Sequence, residues 1–332
     1  MAYTAIDNPE LYFQTKIYAA NNTDSTAITL DGDEDMSPNM CWWKNRSAAY
    51  SHRIIDTVRG VTKILTPDTA AAEATNSNAL ASFDSDGFTL NADGDGYGLN
   101  YDNTHNIVAW CWKESATSGF DIVSYTGNGS ARTISHSLSA VPKMIIVKDR
   151  DNGDYSWHVY HEAVGNGKTL YLDLTNAPST DSIYWNDTTP TSSVFSVGTS
   201  VTTNNNTDAF IAYLFADVQG FSKVGSYTGN GNADGAFVYT GFRPAFLMVK
   251  ATVSSAWYIY DNKRAGYNVE NYQLYPDRSN AEDTTDQIDL LSNGFKWRAI
   301  TGDPNTSGRT YIYMAFAEAP FVNSNGVPCN AR

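Results

Sequence analysis

The sequence predicts an all-β protein made of three tandem homologous antiparallel β-sandwich domains. Three observations predict it: landmarks that recur at one spacing, a high density of short strand-like segments, and weak helical periodicity throughout. The chain has 332 residues, of which 42% are hydrophobic and 13% aromatic. That length and composition supply enough apolar material for two or three ordinary cores.

The clearest landmark is a proline six residues before a lysine, with an apolar segment between them. Successive copies are spaced by 104 and then 102 residues, at Pro38 to Lys44, Pro142 to Lys148 and Pro244 to Lys250. A tyrosine precedes each proline by 17 to 20 residues, at Tyr18, Tyr125 and Tyr227. An apolar segment follows each proline, beginning at Ile107, Phe210 and Tyr311. This period is too long for a solenoid unit and matches a single domain.

The landmarks divide the chain into three repeats and a tail. We predict sandwich domains at residues 1–115, 116–218 and 219–319, called repeats 1, 2 and 3 below, followed by a C-terminal tail at residues 320–332. The segments that join the repeats are short, so we expect the domains to pack side by side.

Each repeat carries seven or eight short runs of β-branched and aromatic residues, separated by Gly, Asn, Asp and Pro. This density is typical of a two-sheet sandwich. The runs around Lys148 and Phe215 are nearly continuous, which predicts strands covered on both faces. The best helix candidates are Thr69 to Ala81 and a turn or two near Ala281 to Leu291.

The charge balance argues against some classes of partner. A formal net charge of −14 repels phosphate backbones, and the basic residues form no run, so we expect no nucleic-acid partner. The N-terminal segment lacks the basic and apolar regions of a signal peptide. No apolar run reaches the roughly 18 residues that span a bilayer, so we expect no membrane insertion.

The cysteines do not predict a disulfide framework. Cys41 and Cys111 fall in apolar strand-like segments and are expected to be buried thiols, and Cys329 lies in the polar tail. Assembly in a reducing cytoplasm fits this pattern.

No constellation of catalytic residues stands out from the sequence. His158 and His161 form an apparent ligand pair, but residues three apart on a strand point to opposite faces and the other repeats lack them. The repeated Thr-Gly-Asn-Gly after Tyr125 and Tyr227 is interpreted as a hairpin turn. We therefore predict a protein that is not an enzyme, with no catalytic residues and no cofactor-binding residues.

One acidic segment carries the spacing of a calcium loop. Asn91, Asp93, Asp95 and Asp102 occupy its first, third, fifth and twelfth positions. Asn at the first position and Asp at the last depart from the usual pattern, and the flanks are strands. A Ca²⁺ site and an ordinary solvated hairpin loop both stay open for this segment.

Most tryptophans fall on predicted strands and are expected in the core. Trp185 and Trp297 lie in more polar stretches and are the candidates for exposed residues that contact a ligand.

Several segments resemble known proteins. They are DNPELYFQTKIY (7–18), WWKNRS (42–47), FDSDGFTL (83–90), VAWCWK (108–113), SYTGNG (124–129) and PKMIIVK (142–148). Together they resemble repeat domains of virion structural and tail-fibre-like proteins of marine bacteriophages, such as phages of cyanobacteria and of Pelagibacter. The resemblance implies a virion role and supplies no catalytic residues. Long tail fibres usually have a fibrous stalk, which this sequence lacks, so a compact appendage, adaptor or decoration protein is favoured.

From these observations we predict a bacteriophage virion structural protein, associated with the tail or an appendage and contributing to host attachment. It would be assembled in the host cytoplasm and located in the virion. The expected partners are other virion proteins, copies of itself in a homotrimer or larger ring, and a host surface glycan or receptor. Two alternatives stay open: a capsid decoration or vertex protein, and a glycan-binding adhesin-like module. A polysaccharide depolymerase is the least favoured, because no carboxylate pair recurs.

Overall fold

The structure is a computed structural model that describes residues 4–320, except 94, 95, 97, 102, 286 and 300–302. Its described part consists of antiparallel strands joined by turns, with helix α1 (Val201–Asn204) and 3₁₀ turns at Pro9–Leu11 and Asp303–Asn305. The prediction of an all-β fold is confirmed. The two helix candidates are wrong: the described parts of 69–81 and 281–291 are irregular or extended, and both contain strand residues.

The strands follow one another in three series. Those of repeat 1 are β1 (Phe13–Ala19), β2 (Thr26–Ile28), β3 (Met40–Asn45), β4 (Arg53–Asp56), β5 (Lys63–Ile64), β6 (Ala74–Thr75), β7 (Leu80–Phe83), β8 (Phe88–Leu90) and β9 (Asn106–Trp112). Those of repeat 2 are β10 (Phe120–Thr126), β11 (Arg132–Ser135), β12 (Met144–Asp149), β13 (His158–His161), β14 (Lys168–Tyr171), β15 (Ser179–Thr180), β16 (Val194–Val197) and β17 (Ala209–Phe215). Those of repeat 3 are β18 (Ser222–Thr228), β19 (Phe237–Tyr239), β20 (Phe242–Ala251), β21 (Trp257–Asp261), β22 (Ile288–Leu291), β23 (Gly294–Trp297) and β24 (Thr310–Pro320).

Each repeat contributes one main sheet with the same strand order. The orders are β1-β9-β3-β4, β10-β17-β12-β13 (extended by β14 and β15) and β18-β24-β20-β21. The registers also agree, since Met40, Met144 and Phe246 pair with Trp112, Phe215 and Phe316. This agreement fixes which residues occupy equivalent positions. A smaller sheet accompanies each main sheet: β2-β8-β7, β11-β16 and β19-β23-β22.

Side chains of the main sheets alternate between two apolar environments, as the pleat of a strand requires. In β3, Cys41 and Trp43 pack with residues of the small sheet of repeat 1. Met40 and Trp42 belong instead to a cluster that includes residues of repeats 2 and 3. The strand is therefore covered on both faces, which explains why its sequence is continuously apolar.

The three main sheets meet in this shared central core. Ring contacts between repeats include Phe13 with Phe316 at 5.3 Å, Trp112 with Phe246 at 5.4 Å and Phe215 with Phe316 at 6.0 Å. A void of only about 10 Å³ remains among side chains from all three repeats, so they pack closely. The central cluster thus continues across residues 115/116 and 218/219, while repeats 1 and 2 each also have an apolar cluster of their own.

Cys41 and Cys111 face each other on neighbouring strands, with their Sγ atoms 3.2 Å apart. Both are free thiols and fully buried, and burial raises the pKa of Cys41 well above its usual value. They pack as small apolar side chains. Cys329 lies outside the described residues.

Candidate functional site

A tyrosine and an asparagine hold the turn that follows the first strand of each repeat. The tyrosine hydroxyl donates to a backbone oxygen of a distant loop, in the pairs Tyr18 to Leu99 (2.9 Å), Tyr125 to Thr203 (2.6 Å) and Tyr227 to Pro304 (2.7 Å). The residue after each acceptor is a buried asparagine: Asn100, Asn204 and Asn305. In repeat 2, Asn204 accepts from Asn128 N at 3.1 Å and donates to Ser130 O at 2.7 Å. The Thr-Gly-Asn-Gly segments are turns, but the hairpin interpretation is wrong, because the strands on either side of each turn lie in different sheets. The buried asparagines that hold these turns were not among the sequence predictions.

The candidate calcium loop contains one of these asparagines. Asn91 donates its side-chain amide to Ser77 O at 3.1 Å, and buried Asp93 accepts from Leu99 N at 3.0 Å. Asp95 and Asp102 lie outside the described residues. Among the residues that are described, no three His, Cys, Asp or Glu side chains cluster as metal ligands. Asn91 and Asp93, the two candidates among the described residues, form hydrogen bonds that stabilise the loop.

The expectation that Trp185 and Trp297 are exposed is wrong. Trp185 is 2% exposed and packs edge-on against Tyr160, and Trp297 is fully buried against Tyr227 and Tyr260. Trp297 lies in β23, where Lys296 occupies the opposite face. A polar neighbour in sequence therefore does not place an indole at the surface.

His158 and His161 are both buried on β13. Burial lowers the pKa of His158 to about 3 and that of His161 to about 4. The Nδ1 atom of His161 accepts from Ala163 N at 3.2 Å, so its Nε2 carries the proton and donates to Tyr313 O at 3.3 Å. His161 therefore joins repeat 2 to repeat 3 as a neutral side chain.

The junction between repeats 1 and 2 contains a buried ionic network. Arg59 donates from Nε to Asp56 at 2.6 Å and from Nη1 to Glu73 at 3.2 Å. Arg150 of repeat 2 pairs with both oxygens of Glu73, at 2.8 and 3.0 Å, and the Tyr213 hydroxyl donates to Asp56 at 2.7 Å. Each charge has a partner, as burial requires.

The junction between repeats 3 and 1 contains a matching network, in which the Asp and the two Arg residues occupy equivalent positions. Arg264 donates to Asp261 at 2.6 Å and to Glu282 at 2.8 Å. Arg46 of repeat 1 pairs with Glu282 at 3.0 and 2.8 Å, and the Trp110 indole donates to Asp261 at 2.9 Å.

The junction between repeats 2 and 3 differs. His161 occupies the position of Asp56 and Asp261, since it pairs with Met144 as they pair with Met40 and Phe246. In the sequence, Val164 then stands where the arginine stands elsewhere, and Thr252 stands in place of Arg46 and Arg150.

One further contact runs in the same direction at all three junctions. A side chain at the first residue of the fourth main strand, or at the residue just before it, donates to a carbonyl of another repeat. The pairs are Trp157 to Thr66 (3.2 Å), Trp257 to Tyr171 (2.7 Å) and His52 to Tyr275 (2.9 Å). His52 can donate from Nε2 because its Nδ1 accepts from the Trp42 indole at 2.8 Å. Repeat 2 thus contacts repeat 1, repeat 3 contacts repeat 2, and repeat 1 contacts repeat 3, which closes a ring.

The landmark lysines are buried at the ends of equivalent strands. Their Nζ atoms donate to backbone oxygens, at Asn45 (2.6 Å), Asp149 (2.6 Å) and Ala251 (3.0 Å). Burial lowers the pKa of Lys44 to about 7 and that of Lys148 to about 8. These lysines satisfy strand-end carbonyls in all repeats, which is why they recur in the sequence.

The buried lysines predict a pH dependence. A Lys44 pKa near 7 in the folded protein lies below its unfolded value near 10.5, so the unfolded chain binds more protons between these values and stability rises with pH in that window. We expect Lys44→Met to flatten the rise in urea unfolding free energy from pH 7.5 to 9.5, while exposed Lys168→Met leaves it unchanged. Parallel profiles for wild type and Lys44→Met would contradict the assignment.

A surface groove lies where the chain passes from repeat 2 to repeat 3. Its volume is about 450 Å³, within the range of ligand pockets in proteins. One wall is the turn at 217–223, which contributes Asp217, Gln219 and Lys223. The other wall is the end of β19, which contributes Tyr239 and Thr240.

Both walls of the groove are fixed by hydrogen bonds. Ser222 donates from Oγ to Ala216 O at 2.9 Å and accepts from Val218 N at 2.9 Å. One oxygen of Asp217 accepts from Val224 N at 2.7 Å, and Thr240 donates to Phe242 O at 2.6 Å. The Tyr239 side chain is 54% exposed. The groove is therefore preformed.

The fold and this groove define an all-β protein of three main sheets in a closed ring, with a polar surface cleft beside an exposed aromatic ring. The chain belongs to the family described as "Domain of unknown function (DUF7483)", whose model matches residues 8–320. No curated protein sequence matches it. None of the helices in the described residues is both long and apolar enough to cross a membrane.

Proposed function

We propose that the chain is a non-enzymatic structural protein of a bacteriophage particle, carried on the tail or an appendage and contributing to host attachment. The sequence segments that resemble virion proteins of marine phages supply the biological context. The observation that carries the proposal is the closed ring of buried contacts, in which the three repeats share one core and two ionic networks.

This construction suits a particle component. Buried contacts at all three junctions oppose independent movement of the repeats, so the protein presents its surface in one fixed arrangement. Copies assembled with closed symmetry around a tail would then act together, and weak contacts with a host surface would add through high effective concentration.

Localisation on purified particles tests the proposal. Particles are banded on a density gradient, analysed by mass spectrometry for peptides of this chain and labelled with antibody for electron microscopy. Label on the tail or its appendages is the expected result. Label on the capsid faces would replace the attachment role with that of a decoration or vertex protein, and absence of the peptides from pure particles would overturn the proposal.

A further inference from the structure

We propose that the groove between repeats 2 and 3 binds a neutral saccharide, with the sugar ring stacked on Tyr239. The biological role of this binding rests on the proposed attachment function. The binding itself is argued from the residues that line the groove.

The lining of the groove favours a sugar over other ligand classes. It combines a carboxylate (Asp217), a primary amide (Gln219) and an ammonium (Lys223) with an exposed phenol ring. Sugar hydroxyls both donate and accept hydrogen bonds, so they match this mixed set. The apolar C–H face of a pyranose can stack on the apolar face of a tyrosine ring, while the phenol hydroxyl stays hydrated.

Charge disfavours the anionic alternatives. Lys223 is the one cationic side chain among the residues that line the groove, and Asp217 lies in the same lining. The whole chain carries a formal net charge of −14, which repels polyanions such as nucleotides and sulfated or phosphorylated glycans. A neutral saccharide meets no such repulsion.

The groove is ready to bind without rearrangement. Its two walls are held by the hydrogen bonds of Ser222, Asp217 and Thr240 to the backbone. Gly220, at φ +78°, gives the turn a conformation that other residues rarely adopt. A preformed site loses little entropy on binding, which matters for a ligand as weakly bound as a single sugar.

Strand β19 supplies a matched control. Phe237 and Tyr239 lie two residues apart and therefore on the same face, and they are 47% and 54% exposed. Only Tyr239 lines the groove, whereas Phe237 lies against Gly294. Removal of either side chain takes away a half-exposed aromatic, so a general loss of folding or of surface apolarity would affect both variants alike.

The test is saturation-transfer NMR and titration of the full chain with a panel of neutral methyl glycosides (glucose, galactose, mannose and N-acetylglucosamine), with a sulfated methyl galactoside as the anionic comparison. We expect at least one sugar to bind, and Tyr239→Ala to weaken that binding about tenfold or more while Phe237→Ala binds as wild type does. Lys223→Gln should weaken it by a smaller factor. Failure of all neutral sugars to bind at tens of millimolar, preferential binding of a sulfated sugar, or equal affinity of Tyr239→Ala and wild type would overturn the inference. These outcomes do not depend on where the protein lies in the particle. A negative result would contradict the saccharide site and leave the proposed structural role unaffected.

Discussion

Arg59→Met should be among the most damaging substitutions in the protein, with a loss of about 3–5 kcal/mol in unfolding free energy. The side chains of Arg59 and Asp56 are fully buried, so removal of the guanidinium leaves an uncompensated carboxylate in the interior. Arg264→Met should behave alike, because Arg264 and Asp261 are equally buried in the equivalent network. Urea unfolding followed by tryptophan fluorescence and circular dichroism measures both.

Two further variants separate the ionic effect from loss of packing. In the double variant Asp56→Asn with Arg59→Met, the buried charge is gone and an acceptor for Tyr213 remains, so part of the lost stability should return. Arg298→Met breaks a pair with Asp289 at an arginine side chain that is 40% exposed, and should cost no more than about 1 kcal/mol. Equal losses for Arg59→Met and Arg298→Met would show that the buried network contributes nothing special.

Trp112→Ala should cost about 3–5 kcal/mol, because a fully buried indole is removed from the central core. Trp112 contacts Phe13 of its own repeat and Phe246 and Phe316 of repeat 3. Since the core is shared, the loss should lower one transition that includes all three repeats. Differential scanning calorimetry, with calorimetric and van't Hoff enthalpies compared, measures whether that transition stays single.

Tyr267→Ala is the control for this prediction. Its side chain is 75% exposed, and its removal should change stability by less than about 0.5 kcal/mol. If Trp112→Ala instead produced two well-separated transitions, with part of the chain melting as in wild type, the repeats would be independent folding units and the shared core would not couple them.

Much of the β-structure could be predicted from the sequence because it depends on local pattern. Strands such as β12 and β17 carry their own signal in β-branched and aromatic residues, and the Pro-to-Lys landmark marks the same strand in each repeat. The alanine-rich segment at 69–81 was wrongly predicted as a helix, because helix propensity is a weak prior that tertiary packing overrides. There Glu73 pairs with Arg59 and Arg150 instead.

The candidate site was harder to predict, since its residues are distant in sequence and none belongs to a motif. Tyr239 and Lys223 come together only because the turn between repeats passes the end of β19. The polarity of their sequence neighbours predicts that Trp185 and Trp297 are exposed. This signal is unreliable, because successive side chains of a strand point to opposite faces and the side chain of a turn residue can point into the core. The ionic networks did carry a signal, the Asp-x-x-Arg spacing at Asp56 and Asp261, but their partners Glu73 and Glu282 lie at different distances along the chain.

The junction between repeats 2 and 3 affects how the ring of three repeats can bind a partner. In an assembly of three identical chains, one codon change alters every contact surface at once. Here each surface is encoded separately, and the one built from His161, Val164 and Thr252 has diverged from the other two. A ring of three repeats with one divergent junction has no threefold symmetry. A threefold-symmetric partner that binds it would therefore meet three different surfaces, and the three rotations about the ring axis would not be equivalent.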